Sequence, residues 1–83
     1  QYMVRICTLT GDPTKFDVKK AEKAGGRVDG RQEPSGAIIM LLRDFPDQNA
    51  AIVAKNKLIA LGFPDAFVVK EINNDGVLKR MGL

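Results

Sequence analysis

The sequence predicts an α+β domain of ferredoxin-like βαββαβ order: a four-stranded antiparallel sheet with two helices on one face. Three observations predict it. Ala37 to Leu42 is a run of apolar residues with the length and character of a central strand. It is followed by a helix pattern, DQNAAIVAKNKLIAL, a Gly62-Phe63-Pro64 stop and a second strand, AFVVKEI. The first half repeats this plan more weakly at a constant offset of 36, pairing Val4 with Met40, Ile6 with Leu42, Leu9 with Phe45 and Gly26 with Gly62.

Tyr2 to Thr10 has strand periodicity, with Tyr2, Val4, Ile6 and Thr8 on the expected core side and Met3, Arg5, Cys7 and Leu9 on the other. Gly11-Asp12-Pro13 ends the strand, and Asp12 or Thr14 can cap a short helix whose apolar stripe is Val18, Ala21 and Ala24. Gly25-Gly26 supplies the positive φ angles of a reversal. Residues 27 to 36, RVDGRQEPSG, hold one branched apolar residue among turn formers, so an edge strand is expected, leading through Pro34-Ser35-Gly36 into a hairpin. In the strand after it Ile38, Met40 and Leu42 face one way, and Ala37, Ile39 and Leu41 the other.

Asp44 or Asp47 caps the second helix, whose buried stripe is Ala51, Ala54, Leu58 and Leu61. Gly62 suits the left-handed position after it, with Phe63 folding back on Leu58. Ala66 to Ile72 is the last expected sheet strand. Asn73-Asn74-Asp75-Gly76 is a turn, and the segment from residue 72 to 83 is either a hairpin extension or a tail.

Eighty-three residues make a single domain, 1–83, that can bury only about 60 to 65% of its unfolded surface. The chain opens at Gln1, as an excised domain or a processed form of a larger protein would. No apolar run approaches the roughly 18 residues of a spanning helix, so no direct membrane insertion is expected. The net charge of +3 is spread among interleaved acids, which argues against a nucleic-acid partner. With no histidine and one cysteine, Cys7, the common zinc sets fail and a thiol nucleophile lacks its base. Neither phosphate loop nor triad is present, and no metal, cofactor or enzymatic activity is expected.

One face of the expected sheet carries no helix. Onto it the alternation puts Met3, Arg5 and Cys7 from the first strand, Ile39 and Leu41 from the third, and Phe67 and Val69 from the fourth. Such an apolar face would bind something. It has the layout of an RNA-recognition sheet, but Phe67 is its single aromatic.

The residues that carry a family are Tyr2, Val4 and Ile6 in the first half, and Phe45, Ala51, Leu58, Gly62, Phe63, Ala66, Val68 and Val69 in the second. In these the chain resembles SPOR (sporulation-related repeat) domains of bacterial cell-division and cell-wall proteins over nearly its whole length. The family's half-repeats open with Tyr-x-Val-Gln-Val-Gly-x-Phe strands, and its second helix ends in Leu-x-x-x-Gly-Tyr or Gly-Phe before a valine-rich strand. Arg5 stands where the family carries glutamine, Cys7 and Arg43 where it carries glycine, and Ala37 where an aromatic often opens the third strand.

The resemblance implies a module that binds peptidoglycan glycan strands stripped of stem peptides. Binding would use the helix-free face, with Arg5 and Thr8 beside Met3, Ile39, Leu41, Phe67 and Val69. Its parent protein would then lie in the bacterial cell envelope, in the periplasm or at the cell surface, targeted to the wall or septum. The alternative is a protein-interaction module in which Ile39, Leu41, Phe67 and Val69 meet an envelope partner or a second copy. A small-molecule regulatory domain is a further reading.

Overall fold

The structure, a computed structural model, describes residues 2–72 and 77–82. It contains one antiparallel sheet of five strands, β1 (Tyr2–Leu9), β2 (Arg27–Gln32), β3 (Ile38–Phe45), β4 (Phe67–Ile72) and β5 (Val77–Arg80), in the order β2-β3-β1-β4-β5. Two helices, α1 (Val18–Glu22) and α2 (Gln48–Ala60), connect β1 to β2 and β3 to β4. The expected edge and central strands are found as read, with β2 at one edge and β3 between β2 and β1.

The expectation of four strands needs correction. Of the two alternatives for this segment, Val77–Arg80 is the hairpin extension and not a tail: it pairs with β4 in register from Ile72 opposite Val77 to Val69 opposite Arg80. Leu78 supplies the physical reason, because it packs beside the buried Met3, Leu41 and Val69 and closes a flank of that cluster. The turn expected at Asn73-Asn74-Asp75-Gly76 lies outside the described residues.

Both helices cover the same face. Ala21 and Ala24 from the α1 region and Ala51, Ala54 and Leu58 from α2 are buried together with Val4, Ile6, Met40, Leu42 and Val68. The alanines let the helices lie close on the sheet, so Leu58, with no exposed surface, reaches its centre. Asp47 caps α2 by accepting from the Ala50 amide at 2.8 Å, which settles the choice between it and Asp44. At the other end Gly62 takes φ +105°, the Phe63 amide donates to the Leu58 carbonyl and the Gly62 amide to that of Ile59. These are the two hydrogen bonds of a Schellman motif.

The first helix is the short, irregular element its meagre stripe predicts. Asp12 caps a single 3-10 turn, Pro13–Lys15, and Asp17 then caps α1 through the Lys20 amide, so the role expected of Asp12 or Thr14 falls to Asp17. Val18, expected in the buried stripe, is 42% exposed. A helix of one and a half turns has too little length to bury three successive positions.

β1 departs from simple alternation at two places. Between Tyr2 and Val4 an extra residue lies in β3, where Asp44 takes φ +76°. Between Arg5 and Cys7 the extra residue is Ile6 of β1 itself, since Arg5 is opposite Leu41 while Cys7 is opposite Met40. Beyond that bulge the faces exchange. Cys7 and Leu9, expected on the helix-free face, pack against the core under the helices. Thr8, expected on the core side, is exposed opposite Ile39 on the helix-free side.

Candidate functional site

The helix-free face has its own small core. Met3, Leu41 and Val69 come from three adjacent strands, are at most 2% exposed and are flanked by Ile39, Phe67 and Leu78. The sequence reading places all three among exposed binding residues, and the structure corrects this. No helix covers them; Ile39, Phe67 and Leu78 pack against them, and the guanidiniums of Arg5 and Arg80 lie over the Phe67 ring. Among the described residues the well-exposed large hydrophobics are Val18, Val53, Ile59 and Val77, none on this face.

Alternation and register place the arginines on this face. Arg5 follows Met3 by two positions, Arg43 follows Leu41 by two, Arg31 is opposite Ile39, Arg27 opposite Arg43, and Arg80 opposite Val69. Thus all five arginines of the chain share the helix-free face. Arg43 is held by Asp29, Nη1 to Oδ2 at 2.8 Å, and Arg27 by Asp44, Nε to Oδ2 at 3.2 Å. The hydrogen bond from Arg43 holds the Asp29 carboxyl below its ordinary range.

Arg5 and Arg80 are arranged differently. Both guanidinium groups lie over the Phe67 ring, at 5.0 Å and 4.3 Å from its centroid. Arg5 also donates through Nη2 to the Thr8 hydroxyl, a contact that exists because the bulge turns Thr8 onto this face. The sequence-derived set is therefore brought together, but as two layers. Arg5, Thr8 and Phe67 form an accessible layer, Ile39 is half-buried beside them, and Met3, Leu41 and Val69 form the floor beneath.

A groove of about 360 Å³ runs over this face. It is lined by Arg31 of β2, Ile39 of β3, Arg5 of β1, Phe67 and Val69 of β4, and Leu78 and Arg80 of β5, so it crosses every strand. Four inter-strand steps of about 4.8 Å give it a run of roughly 19 Å along the sheet. Glu33, just past β2, is the acid at its rim. Sequence reasoning missed Arg31, Leu78 and Arg80. The signal for the last two was the alternation Val77-Leu78-Lys79-Arg80 behind a turn sequence; Arg31 was hidden in a segment whose turn formers outweighed its alternation.

Cys7 sits half-buried on the other side of the sheet, where burial pushes its thiol above the ordinary value. Among the described residues no group of three or more His, Cys, Asp or Glu side chains could hold a metal ion. No helix among them is long and apolar enough to cross a membrane. Compared with known proteins, the chain matches no family model, no curated protein and no solved structure.

Proposed function

We propose that the chain is a non-catalytic, SPOR-like module that holds a peptidoglycan glycan strand, stripped of its stem peptides, in the groove of the helix-free face. Its parent would thereby be directed to the wall or septum of a bacterial envelope. In this reading β1 to β4 with α1 and α2 form a ferredoxin-like βαββαβ unit, and β5 is an addition beside β4. The strand order β2-β3-β1-β4 supports that reading.

The observation that carries the function is the groove itself: a shallow track across five strands, with a half-buried aromatic ring and two stacked guanidiniums at one end. An extended chain of sugar rings needs a long open track, an apolar surface under ring faces and planar hydrogen-bond donors at its sides. Ile39, Phe67 and Leu78 supply the surface; Arg5, Arg31 and Arg80 supply donors. The interaction-module reading rests on apolar contact area, and the burial of Met3, Leu41 and Val69 leaves it little to work with.

Co-sedimentation with sacculi tests the proposal. Amidase-treated sacculi, whose glycan is bare, are expected to retain the protein well above untreated sacculi, and Arg5→Ala should weaken that retention roughly tenfold. Equal, weak retention on both, unchanged by Arg5→Ala, would sink it. So would a tight dimer by sedimentation velocity that buries Phe67.

A further inference from the structure

The two kinds of cation in this chain are sorted by face. Arg5, Arg27, Arg31, Arg43 and Arg80 share the helix-free side, as the register requires. The eight lysines lie elsewhere: Lys15, Lys19, Lys20 and Lys23 around α1, Lys55 and Lys57 on α2, and Lys70 and Lys79 on the opposite face of β4 and β5. Lys70 lies over the Tyr2 ring, which packs on the core under the helices. Solubility alone is served by either cation. A guanidinium differs from an ammonium in presenting a rigid planar fork of donors that matches a carboxylate or phosphate edge to edge.

Within that set, Asp29 holds Arg43 and Asp44 holds Arg27. Arg5 and Arg80 lie instead over one ring, Phe67, a contact that restrains them without using their N–H donors. Of the two, Arg5 gives one donor to a neighbour, Thr8. Two guanidiniums ordered before a ligand arrives lose less side-chain freedom on binding it. Their fork geometry calls for an oxyanion.

Charge density on this face separates the possible oxyanions. Asp29 and Glu71 share the face by register, and Glu33 lies at the groove rim, so the positive excess is small and broken by acids. A nucleic acid carries a phosphate at every nucleotide and is held by bare aromatic platforms. Here the one aromatic ring has guanidiniums stacked on it. A polysaccharide with a carboxylate on some of its sugars is charged sparsely enough to suit this face. Removal of the stem peptide from a muramyl sugar leaves such a carboxylate on alternate rings.

We propose that Arg5 and Arg80, stacked on Phe67, recognise carboxylates borne by the glycan, so that the ligand is an acidic polysaccharide read by its acid groups as well as its rings. This rests on the glycan-binding reading above and names the group recognised. Calorimetric titration of the full chain with four probes tests it: bare glycan fragments released by amidase, the same fragments with carboxyls reduced to alcohols, polygalacturonate, and a single-stranded oligonucleotide.

Carboxyl reduction is expected to weaken binding roughly tenfold or more. Arg5→Lys with Arg80→Lys, which keeps the charge, should weaken native glycan by a larger factor than reduced glycan and so narrow the difference between the two. Matching melting temperatures for the variant and the parent chain would establish that the variant is folded. Equal binding of native and reduced glycan would overturn carboxylate recognition and leave glycan binding standing. Binding of polygalacturonate without either glycan would overturn the peptidoglycan reading and leave carboxylate recognition standing. Tighter binding of the oligonucleotide than of either carboxylated chain would overturn both.

Discussion

Gly26 and Gly25 are adjacent, both follow α1 and both have positive φ, +75° and +96°, yet their surroundings differ. A Cβ at Gly26 would collide with the Arg43 carbonyl oxygen and press on the Phe45 ring, whereas one at Gly25 meets nothing within 4 Å. Gly25→Ala therefore carries only the cost of a left-handed alanine, about 1 to 2 kcal/mol. Gly26→Ala adds a clash with backbone that cannot rotate away, and should cost at least about 1 kcal/mol more. Urea unfolding of the two variants measures the difference; equal midpoints would contradict the close packing of the α1 turn on β3. The same loop marks the limit of what single letters convey. The Gly26 and Gly62 echo signals a left-handed exit from each helix, but only Gly26 has a strand pressed against it, and nothing in the two letters tells them apart.

Among elements, the two bulges in the β1 and β3 pair decide which side chains meet. Strand alternation was legible for β3 and β4, where Ile39, Leu41, Phe67 and Val69 fall on the helix-free face as read. In β1 it was legible only as far as Arg5. An inserted residue leaves no mark when, as with Ile6-Cys7, both neighbours are apolar and either can face a core. β5 was half legible, because four residues behind a turn are short for a strand unless a partner such as Leu78 finds a cluster to cover. The edge strand β2 is tied to β3 by side chains as well as by its ladder, since Asp29 binds Arg43. The Asp29 carboxyl titrates below its ordinary value of 3.8. The stabilisation is therefore complete above that ordinary value and is lost as pH falls through the lower folded one. With side chains 25% and 37% exposed, the pair contributes under about 1 kcal/mol. Between about pH 6 and about pH 2 the parent chain should lose more stability than Asp29→Asn by up to that amount. Equal losses in urea melts would mean that the bridge adds nothing.

The whole molecule is one sheet with two unlike covers. On one side α1 and α2 bury a core of aliphatic side chains, and on the other Ile39, Phe67 and Leu78 flank Met3, Leu41 and Val69, with the guanidiniums of Arg5 and Arg80 over the Phe67 ring. Composition could not reveal this. A net charge of +3 over interleaved acids reads as an ordinary solvated surface, and only the register of all five strands separates the arginines from the lysines. The consequence is a face that is apolar in its floor and cationic at its surface, and the proposal is that it holds a glycan strand. The most direct measurement of that claim is an NMR titration with soluble bare glycan, following the Nε–Hε signals of the arginines and the backbone amides together. Glycan held on this face should shift Arg5 and Arg80 Nε–Hε and the amides of Thr8 and Phe67, with Ala54 and Lys20 unmoved. Shifts confined to α1 and α2, or none at ligand excess, would contradict it.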